Sequence, residues 1–392
     1  MKIVIAPDSY KGSLSALQVA DVIARAFTDV WKDAGRNGTE AGELDLVKAP
    51  MADGGEGTVD SLVAATGGRR VAITVSGPLG KPVEAFYGVL ADGETAVLEV
   101  ANICGLPMLA KHERDPEQTT SAGLGEAIRT VLDAGYRKLI VGLGGSACND
   151  GGLGMLQALG GIFLDTTGRP VSPTGKGVTQ VSTVRMDSVD KRLAECDIRI
   201  ASDVDNPLCG PEGASFVFGP QKGASEEQMR RLDAALAEYA KRVEAACGRS
   251  SADESYAARP GAGAAGGLGF ALQVLGGKME SGARLVADAI GLEKSLVDAD
   301  WLVTGEGRTD GQTVRGKLPV FVARLARTYG VPAVLVSGGV GDGWERLQQE
   351  FISIHAITPG PISLEEAMMH AGEYLYRTAW SIARLIQAGA SR

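Results

Sequence analysis

The chain has 392 residues, of which 44% are hydrophobic and 22% are charged, and its formal net charge is −9. This length favours two domains over one, and the acidic balance argues against nucleic acid or an anionic membrane as a partner, because both select basic faces. Five cysteines without a CxxC pair predict reduced thiols in a cytoplasmic protein. No apolar run approaches the ~20 residues of a membrane-spanning helix.

The sequence pattern changes near residue 66. Before it, strand and helix patterns alternate, and Ser15 with Gln18 forms a capping box ahead of the first helix. After it come short strand-like runs with Gly-Pro and Asp-Gly turns, which favour antiparallel pairing: 71–75, 83–90 and 96–100. Strands and helices alternate again from about residue 123, with a long helix predicted at 226–246.

The C-terminal part again alternates, with strands predicted at 301–303, 333–336 and 351–356. Ser363 and Glu366 predict the start of a last helix whose buried stripe begins at Leu364. These patterns predict an α/β protein with a discontinuous Rossmann-like domain formed by both chain ends, 1–65 plus 293–392. Residues 66–292 are predicted to be an inserted second α/β domain.

A glycine-rich run at 142–152 follows an apolar strand and precedes a helical stretch. Glycines let backbone N–H groups approach an anion closely, and a helix start adds a positive dipole end. Ser146, Asn149 and Asp150 add a hydroxyl, an amide and a carboxylate at the same place. The run therefore predicts a site for a phosphorylated ligand, against the simpler alternative of a tight strand-to-helix turn.

Five further polar loops follow predicted strands, where open α/β sheets bind their ligands. They lie at 8–13, 53–58, 202–207, 304–310 and 337–342. Their shared composition predicts one acidic, glycine-lined cleft. Phosphoryl transfer needs such a mixture, because carboxylates hold Mg²⁺ while backbone N–H groups and Lys or Arg take up phosphate charge.

Two nucleotide-binding signatures are present in imperfect form. Residues 311–318 have the glycine spacing and lysine of a P-loop but end in Leu318, without the magnesium-binding Ser or Thr. The glycines of 142–147, with Asp165 further on, form a dinucleotide fingerprint. An NAD(P)-dependent oxidoreductase of a small hydroxy acid thus stays open, as does a non-catalytic carboxylate-binding module.

Taken together, the motifs resemble the bacterial glycerate kinase family over essentially the whole chain. The segments that carry the resemblance are 8–13, 51–58, 77–80, 142–152, 203–208, 219–224, and 304–307 through 316–317. The resemblance implies ATP- and Mg²⁺-dependent phosphorylation of D-glycerate to 2-phosphoglycerate, in a cleft between two α/β domains. Cys148 departs from the pattern, because Thr is expected there. The expected partner is the small substrate, and the choice between monomer and homodimer stays open.

Roles follow from charge and chemistry. A small anion in an acidic protein needs fixed cations, for which we predict Lys11 and Arg308. We predict Asp53 and Asp310 as metal ligands and Asp203 or Asp205 as the base. The competing roles are surface charges, helix caps and turn formation, respectively. Contacts to substrate or nucleotide are predicted at Ser9, Gly54, Gly55, Gly144, Gly145, Ser146, Asn149 and Lys317.

Overall fold

The structure is a computed structural model of the chain. It describes residues 1–36, 42–248, 255–311, 313–315 and 317–390. Gln312 and Gly316, both in the P-loop-like segment of the sequence, lie outside the described residues. Among the helices in those ranges, none combines the length and the apolar character needed to cross a membrane.

The strands are short, mostly of three to nine residues. In chain order they are β1 (Lys2–Ile5), β2 (Asp45–Lys48), β3 (Arg69–Ser76), β4 (Pro82–Val89), β5 (Thr95–Glu99), β6 (Lys138–Gly142), β7 (Ile162–Leu164), β8 (Thr183–Arg185), β9 (Asp197–Ala201), β10 (Lys278–Glu280), β11 (Trp301–Thr309), β12 (Ala333–Val340) and β13 (Ser353–Ala356).

The α-helices range from single turns to helices of about twenty residues. In chain order they are α1 (Ala16–Arg36), α2 (Thr58–Thr66), α3 (Val100–Cys104), α4 (Ala122–Asp133), α5 (Leu153–Ala158), α6 (Gly175–Val178), α7 (Ala214–Phe218), α8 (Glu226–Ala246), α9 (Leu268–Val274), α10 (Gly282–Ala289), α11 (Leu292–Leu296), α12 (Leu318–Thr328), α13 (Leu364–Met369) and α14 (Ala371–Ala390).

The chain divides into two compact units. Unit 1 comprises Met1–Asp53, Asp60–Thr66 and Ala283–Arg392, and unit 2 comprises Gly54–Val59 and Gly67–Gly282. Each unit carries its own sheet. The sequence-based domain bounds, 1–65 plus 293–392 and 66–292, stay a prediction.

Unit 1 is built on a five-stranded sheet of order β13-β12-β11-β1-β2, in which every pair is parallel. Ile3 of β1 lies opposite Trp301 on one side and Leu46 on the other. The α1 and α14 helices pack against each other, and Phe27 and Leu375 share a buried core with Ile3. The predicted Rossmann-like arrangement of both chain ends is therefore confirmed.

Unit 2 contains a six-stranded sheet of order β10-β9-β6-β5-β4-β3 and a two-stranded sheet of β7 and β8. β3, β4 and β5 pair antiparallel, whereas β5, β6, β9 and β10 pair parallel. The predicted change from antiparallel runs to α/β alternation is confirmed. Leu124, Val141 and Phe163 belong to one buried core.

Two segments predicted as loops are strand ends. β11 continues through Thr309 and β12 through Val340, and the two stay paired there. Glycine allows this close pairing, because a Cβ on Gly305 would lie 2.4 Å from the carbonyl oxygen of Val336. The last helix is also divided, into α13 and α14. Leu364 is 76% exposed, so the predicted buried stripe is wrong at its first position; no residue of α13 is buried.

Glycines 54, 55, 142 and 144 form a close backbone contact within unit 2. The N–H of Gly144 donates to the carbonyl oxygen of Gly54 at 2.9 Å. A Cβ on Gly142 would lie 2.7 Å from the oxygen of Gly54, and one on Gly144 would lie 2.4 Å from the Cα of Gly55. Only residues without a side chain fit here, so the sequence of the two loops is fixed by packing as well as by any ligand.

We expect Gly144→Ala to lower the free energy of unfolding by about 1–3 kcal/mol, since its methyl group would overlap the backbone of Gly55. Urea unfolding followed by circular dichroism measures the change. The matched control is Gly372→Ala in α14, where a Cβ meets nothing within 4 Å. That variant should be unchanged or slightly more stable, because alanine is the better helix former. Equal midpoints for both variants would contradict the packing argument.

Candidate active site

The carboxyl ends of β1 and β11 form the topological switch point of unit 1. From β1 the chain continues to β2 on one side of the sheet order, and from β11 it continues to β12 on the other. Open α/β sheets bind ligands in the crevice at such a point. The segment after β1 lies beside β11, because the N–H of Asp8 donates to the oxygen of Gly305 at 2.8 Å. Asp8 therefore lies at this switch point, beside residues of β11.

Asp8 is a nearly buried carboxylate in the crevice. Its Oδ1 accepts the N–H of Ser9 at 2.7 Å. Burial, and then the negative charge of Asp53, raises the pKa of Asp8 to about 7, while Lys11 acts in the opposite direction. The Nζ of Lys11 lies 3.3 Å from Oδ2 of Asp53. The structure thus gathers the predicted residues Ser9, Lys11 and Asp53 around a carboxylate that was not predicted.

Glu306 is a second buried carboxylate, near the carboxyl end of β11. It accepts the hydroxyls of Thr309 and Thr313, each at 2.8 Å. Burial raises the pKa of Glu306, against the effect of those hydroxyls and of the charge of Lys317. Its charge also contributes to the raised pKa of Asp8, so the two carboxylates interact.

Arg308 and Asp310 follow Glu306 closely. Nε of Arg308 lies 3.5 Å from Oδ2 of Asp310, and the arginine side chain is 76% exposed. The charge of Asp310 adds to the raised pKa of Glu306. Unit 1 therefore brings six of the predicted site residues into one electrostatic neighbourhood: Ser9, Lys11, Asp53, Arg308, Asp310 and Lys317.

Sequence reasoning missed Asp8 and Glu306 as site residues. Both residues belong to polar segments of the sequence, 8–13 and 304–310. Asp8 is the first charged residue after β1. That position was the available signal, since groups following a strand's carboxyl end face the ligand crevice. Their burial depends on how the strand ends pack, which the sequence does not display.

In unit 2, Glu99 holds the loop that contains Gly54 and Gly55. It stands at the end of β5, is buried, and accepts the N–H groups of Gly57 at 3.1 Å and Val59 at 3.0 Å. Gly54 and Gly55 are themselves buried against Gly142 and Gly144. Their predicted ligand contacts stay a prediction, and the structure shows a packing role for both.

The glycine-rich run at 142–152 is mostly buried, and Gly145 is its one exposed residue. Gly145 is exposed and Ser146 is 6% exposed, whereas Asn149 and Asp150 are fully buried. The amide of Asn149 donates to Ser215 Oγ at 2.9 Å. The predicted ligand contact at Asn149 stays a prediction, on a fully buried side chain.

Asp150 occupies the start of α5. Its carboxylate accepts the N–H groups of Gly152 at 3.0 Å and Gly154 at 3.2 Å, and also the N–H and hydroxyl of Ser121 at 2.8 and 2.7 Å. The N–H groups of Gly152 and Gly154 are donors of the kind that a phosphate would use at a helix start. The N–H groups at the start of this helix, which were predicted to attract a ligand, therefore have a partner within the protein.

The two predicted candidates for the base, Asp203 and Asp205, are exposed. Asp203 and Asp205 follow β9, and Oδ1 of Asp203 accepts the N–H of Gly282 at 2.8 Å. Asp165, the acid of the dinucleotide fingerprint, accepts the N–H groups of Thr167 and Arg169 in its own turn. Asp165 thus builds a turn, which is the ordinary structural role of such an aspartate.

Comparison with known proteins gives one consistent result. The glycerate kinase family model matches residues 3–387. A protein of Bacillus subtilis (strain 168) named glycerate kinase is 46% identical, with 99% of this chain and 98% of that protein covered. A protein of Escherichia coli (strain K12) named glycerate 2-kinase is 41% identical, with 99% of each covered. A crystal structure from Salmonella typhimurium LT2 described as a glycerate kinase 2 is 43% identical and covers both chains fully, with a TM-score of 0.84.

We expect Asp8→Asn to stabilise the protein at about pH 8 by on the order of 2–4 kcal/mol when divalent cations are chelated. The folded-state pKa of Asp8, about 7, lies above its ordinary value of 3.8. Stability is therefore lost as the pH rises towards 7 and the buried carboxyl ionises, and asparagine avoids that loss. Thermal melts of both proteins measure the difference, which should shrink at about pH 4.

The control for this experiment is Asp45→Asn, on an exposed position of β2. Its difference from the wild type should be small at both pH values, as for most surface substitutions. A pH-independent effect of Asp8→Asn would mean that the carboxyl does not ionise in a buried environment.

Proposed function

Because the chain belongs to the glycerate kinase family, we propose that it transfers a phosphoryl group from ATP, with Mg²⁺, to D-glycerate and forms 2-phosphoglycerate. The observation that carries the proposal is the family match along residues 3–387. The chain is a phosphotransferase by that membership, and nothing in the comparisons favours an oxidoreductase or a binding module. The name of the Escherichia coli relative supports the 2-phosphate as product.

The crevice of unit 1 suits a magnesium ion bound together with phosphate. Mg²⁺ uses one or two carboxylates and completes its shell with phosphate oxygens and water. Within the described ranges, no three His, Cys, Asp or Glu side chains form a ligand group of their own, which fits such sparse protein ligation. The adjacent charges of Asp8 and Asp53 repel each other, a repulsion that a divalent cation relieves. Asp53 and Asp310 would hold the ion, which neutralises charge on phosphate oxygens.

Lys11 and Arg308 are the cations we propose for the transferring phosphate or the substrate carboxylate. Both side chains are mostly exposed at the switch point, at 62% and 76%. A guanidinium presents five N–H donors, so an ion pair with Asp310 leaves donors for a second anion. In a chain of net charge −9, such fixed cations supply the local positive potential that an anionic substrate needs.

For the base that accepts a proton from the substrate hydroxyl, we propose Asp205 rather than Asp203, because the hydrogen bonds of the two carboxylates differ. Asp203 already accepts the N–H of Gly282, whereas Asp205 has no hydrogen-bond partner among the described residues. A carboxylate that accepts the acceptor hydroxyl's proton must be able to face the substrate. The ligand contacts at Ser9, Gly144, Gly145, Ser146 and Lys317 belong to the same proposal.

Incubation with D-glycerate and Mg-ATP tests the function. We expect glycerate-dependent ADP release in a coupled assay and a 2-phosphoglycerate signal in the phosphorus NMR spectrum. Omission of Mg²⁺ should abolish the release. Absence of any glycerate-dependent signal with folded protein would refute the proposal, and 3-phosphoglycerate as the product would refute its regiochemistry.

We expect Arg308→Met to lower kcat/KM by about 2 kcal/mol or more, because methionine keeps the chain length but loses the charged donors. Steady-state kinetics with varied D-glycerate and ATP gives the value. Arg377→Met is the control, since Arg377 is an exposed arginine of α14 paired with Glu373. Wild-type kinetics for Arg308→Met would assign Arg308 to the ordinary surface charges.

A further inference from the structure

Lys222 is a buried ammonium group next to the glycine-rich run of unit 2. It is 2% exposed, in the single turn Pro220–Lys222. Its Nζ donates to Oγ of Ser146 at 3.0 Å and to the carbonyl oxygen of Cys148 at 2.6 Å. Among the described residues, no carboxylate lies within ion-pair distance of it. The charge is therefore held by neutral oxygens alone.

Asp150 is the carboxylate whose charge acts on Lys222, but its oxygens are hydrogen-bonded to other groups. Both of its oxygens accept hydrogen bonds from Ser121, Gly152 and Gly154. Burying an ammonium group without a counter-ion is unfavourable, because the charge loses its hydration. In keeping with this cost, burial lowers the pKa of Lys222 to about 8, against the opposite effects of Cys148, Asp150 and Cys104. A bound anion would offset the cost.

Ser146 connects this buried charge to the part of the run next to the exposed Gly145. A hydroxyl that accepts from an ammonium group must direct its own hydrogen elsewhere. Ser146 is slightly exposed, unlike the fully buried Cys148, Asn149 and Asp150 that follow it. Its hydroxyl hydrogen is not used in the contact with Lys222, and no other hydrogen bond occupies it among the described residues.

The backbone beside Ser146 provides two more donors. Within the described residues, the N–H groups of Gly145 and Ser146 have no hydrogen-bond partner, although the neighbouring N–H groups of Gly144 and Ala147 are bonded to Gly54 and Cys104. Gly145 is exposed and has a φ of +76°. Two N–H groups without a hydrogen-bond partner among the described residues and one hydroxyl therefore lie next to each other, at Gly145 and Ser146.

We infer that Lys222 is a positioning residue for an anion held by the N–H groups of Gly145 and Ser146 and by the hydroxyl of Ser146. Lys222 does not touch the anion; it fixes Ser146 and supplies the buried positive charge. The inference rests on the proposed function in one respect, since the anion is then the carboxylate of glycerate or a phosphate of the nucleotide. Both are oxyanions that accept three such donors.

Calorimetric titration of Lys222→Met with D-glycerate and, separately, with Mg-ATP tests the inference. We expect one ligand to bind at least about tenfold more weakly, the size of one charge-assisted hydrogen bond. A loss confined to glycerate assigns the carboxylate, and one confined to ATP assigns a phosphate. Lys241→Met, an exposed lysine of α8, is the control and should bind both ligands normally. Unchanged affinity of folded Lys222→Met for both would overturn the inference.

A double-mutant cycle separates positioning from a general structural role. If Lys222 acts through Ser146, the Lys222→Met/Ser146→Ala double variant should bind no more than about twofold more weakly than Lys222→Met alone. If the double variant instead shows the product of the two single losses of affinity, the proposed action of Lys222 through Ser146 is contradicted.

The pH dependence of the wild type gives a readout that survives a failure of the variant to fold. The affinity of the wild type should fall as the pH rises through about 8, because Lys222 loses its proton. At lower pH, Ser146→Ala should bind more weakly than the wild type. Sulfate serves as a probe that does not depend on the proposed reaction. Sulfate binding with this pH profile but without glycerate-dependent ADP release would support the anion site and refute the proposed function. A flat profile for all three ligands would refute the site.

Discussion

The pairing of β1 with β11 is the constraint on which the rest of unit 1 depends. Ile3 lies opposite Trp301, so a parallel pair joins residues from opposite ends of the chain. β1 has β2 on its other side, while β11 has β12, and this divergence creates the switch point. Without that pair, the segments after the two strands would not meet, and Asp8 would not lie beside Gly305.

Local features of the fold were predictable because they depend on nearby residues. The capping box at Ser15 forms as the sequence indicates. The change to antiparallel strands after residue 66 followed from turn residues and alternation. The extension of β11 and β12 was not predictable in this way. Residues 304–307 resemble a loop in sequence, and only the adjacent strand reveals why Gly305 has no side chain.

The candidate site shows the same division between local and tertiary information. Polar residues after strands identified the neighbourhood of Lys11, Asp53 and Arg308. Burial, however, decides how Asp8, Glu306 and Lys222 behave, and burial of a charged side chain is a property of the packed protein. The sequence equally could not reveal that Asp150 satisfies the start of α5. A carboxylate in a glycine-rich run has the same appearance whether it faces a ligand or the protein interior.

The discontinuity of unit 1 has a consequence for the order in which the protein folds during synthesis. Residues 67–282 of unit 2 emerge from the ribosome before β11 exists, because translation proceeds from the N-terminus. Until then β1 and β2 form at most a two-stranded edge, with one side of β1 unpaired. Unpaired edges of apolar strands such as Ile3–Ile5 invite association with other chains. Completion of the C-terminal part removes that edge, so a truncated product is the species most exposed to aggregation.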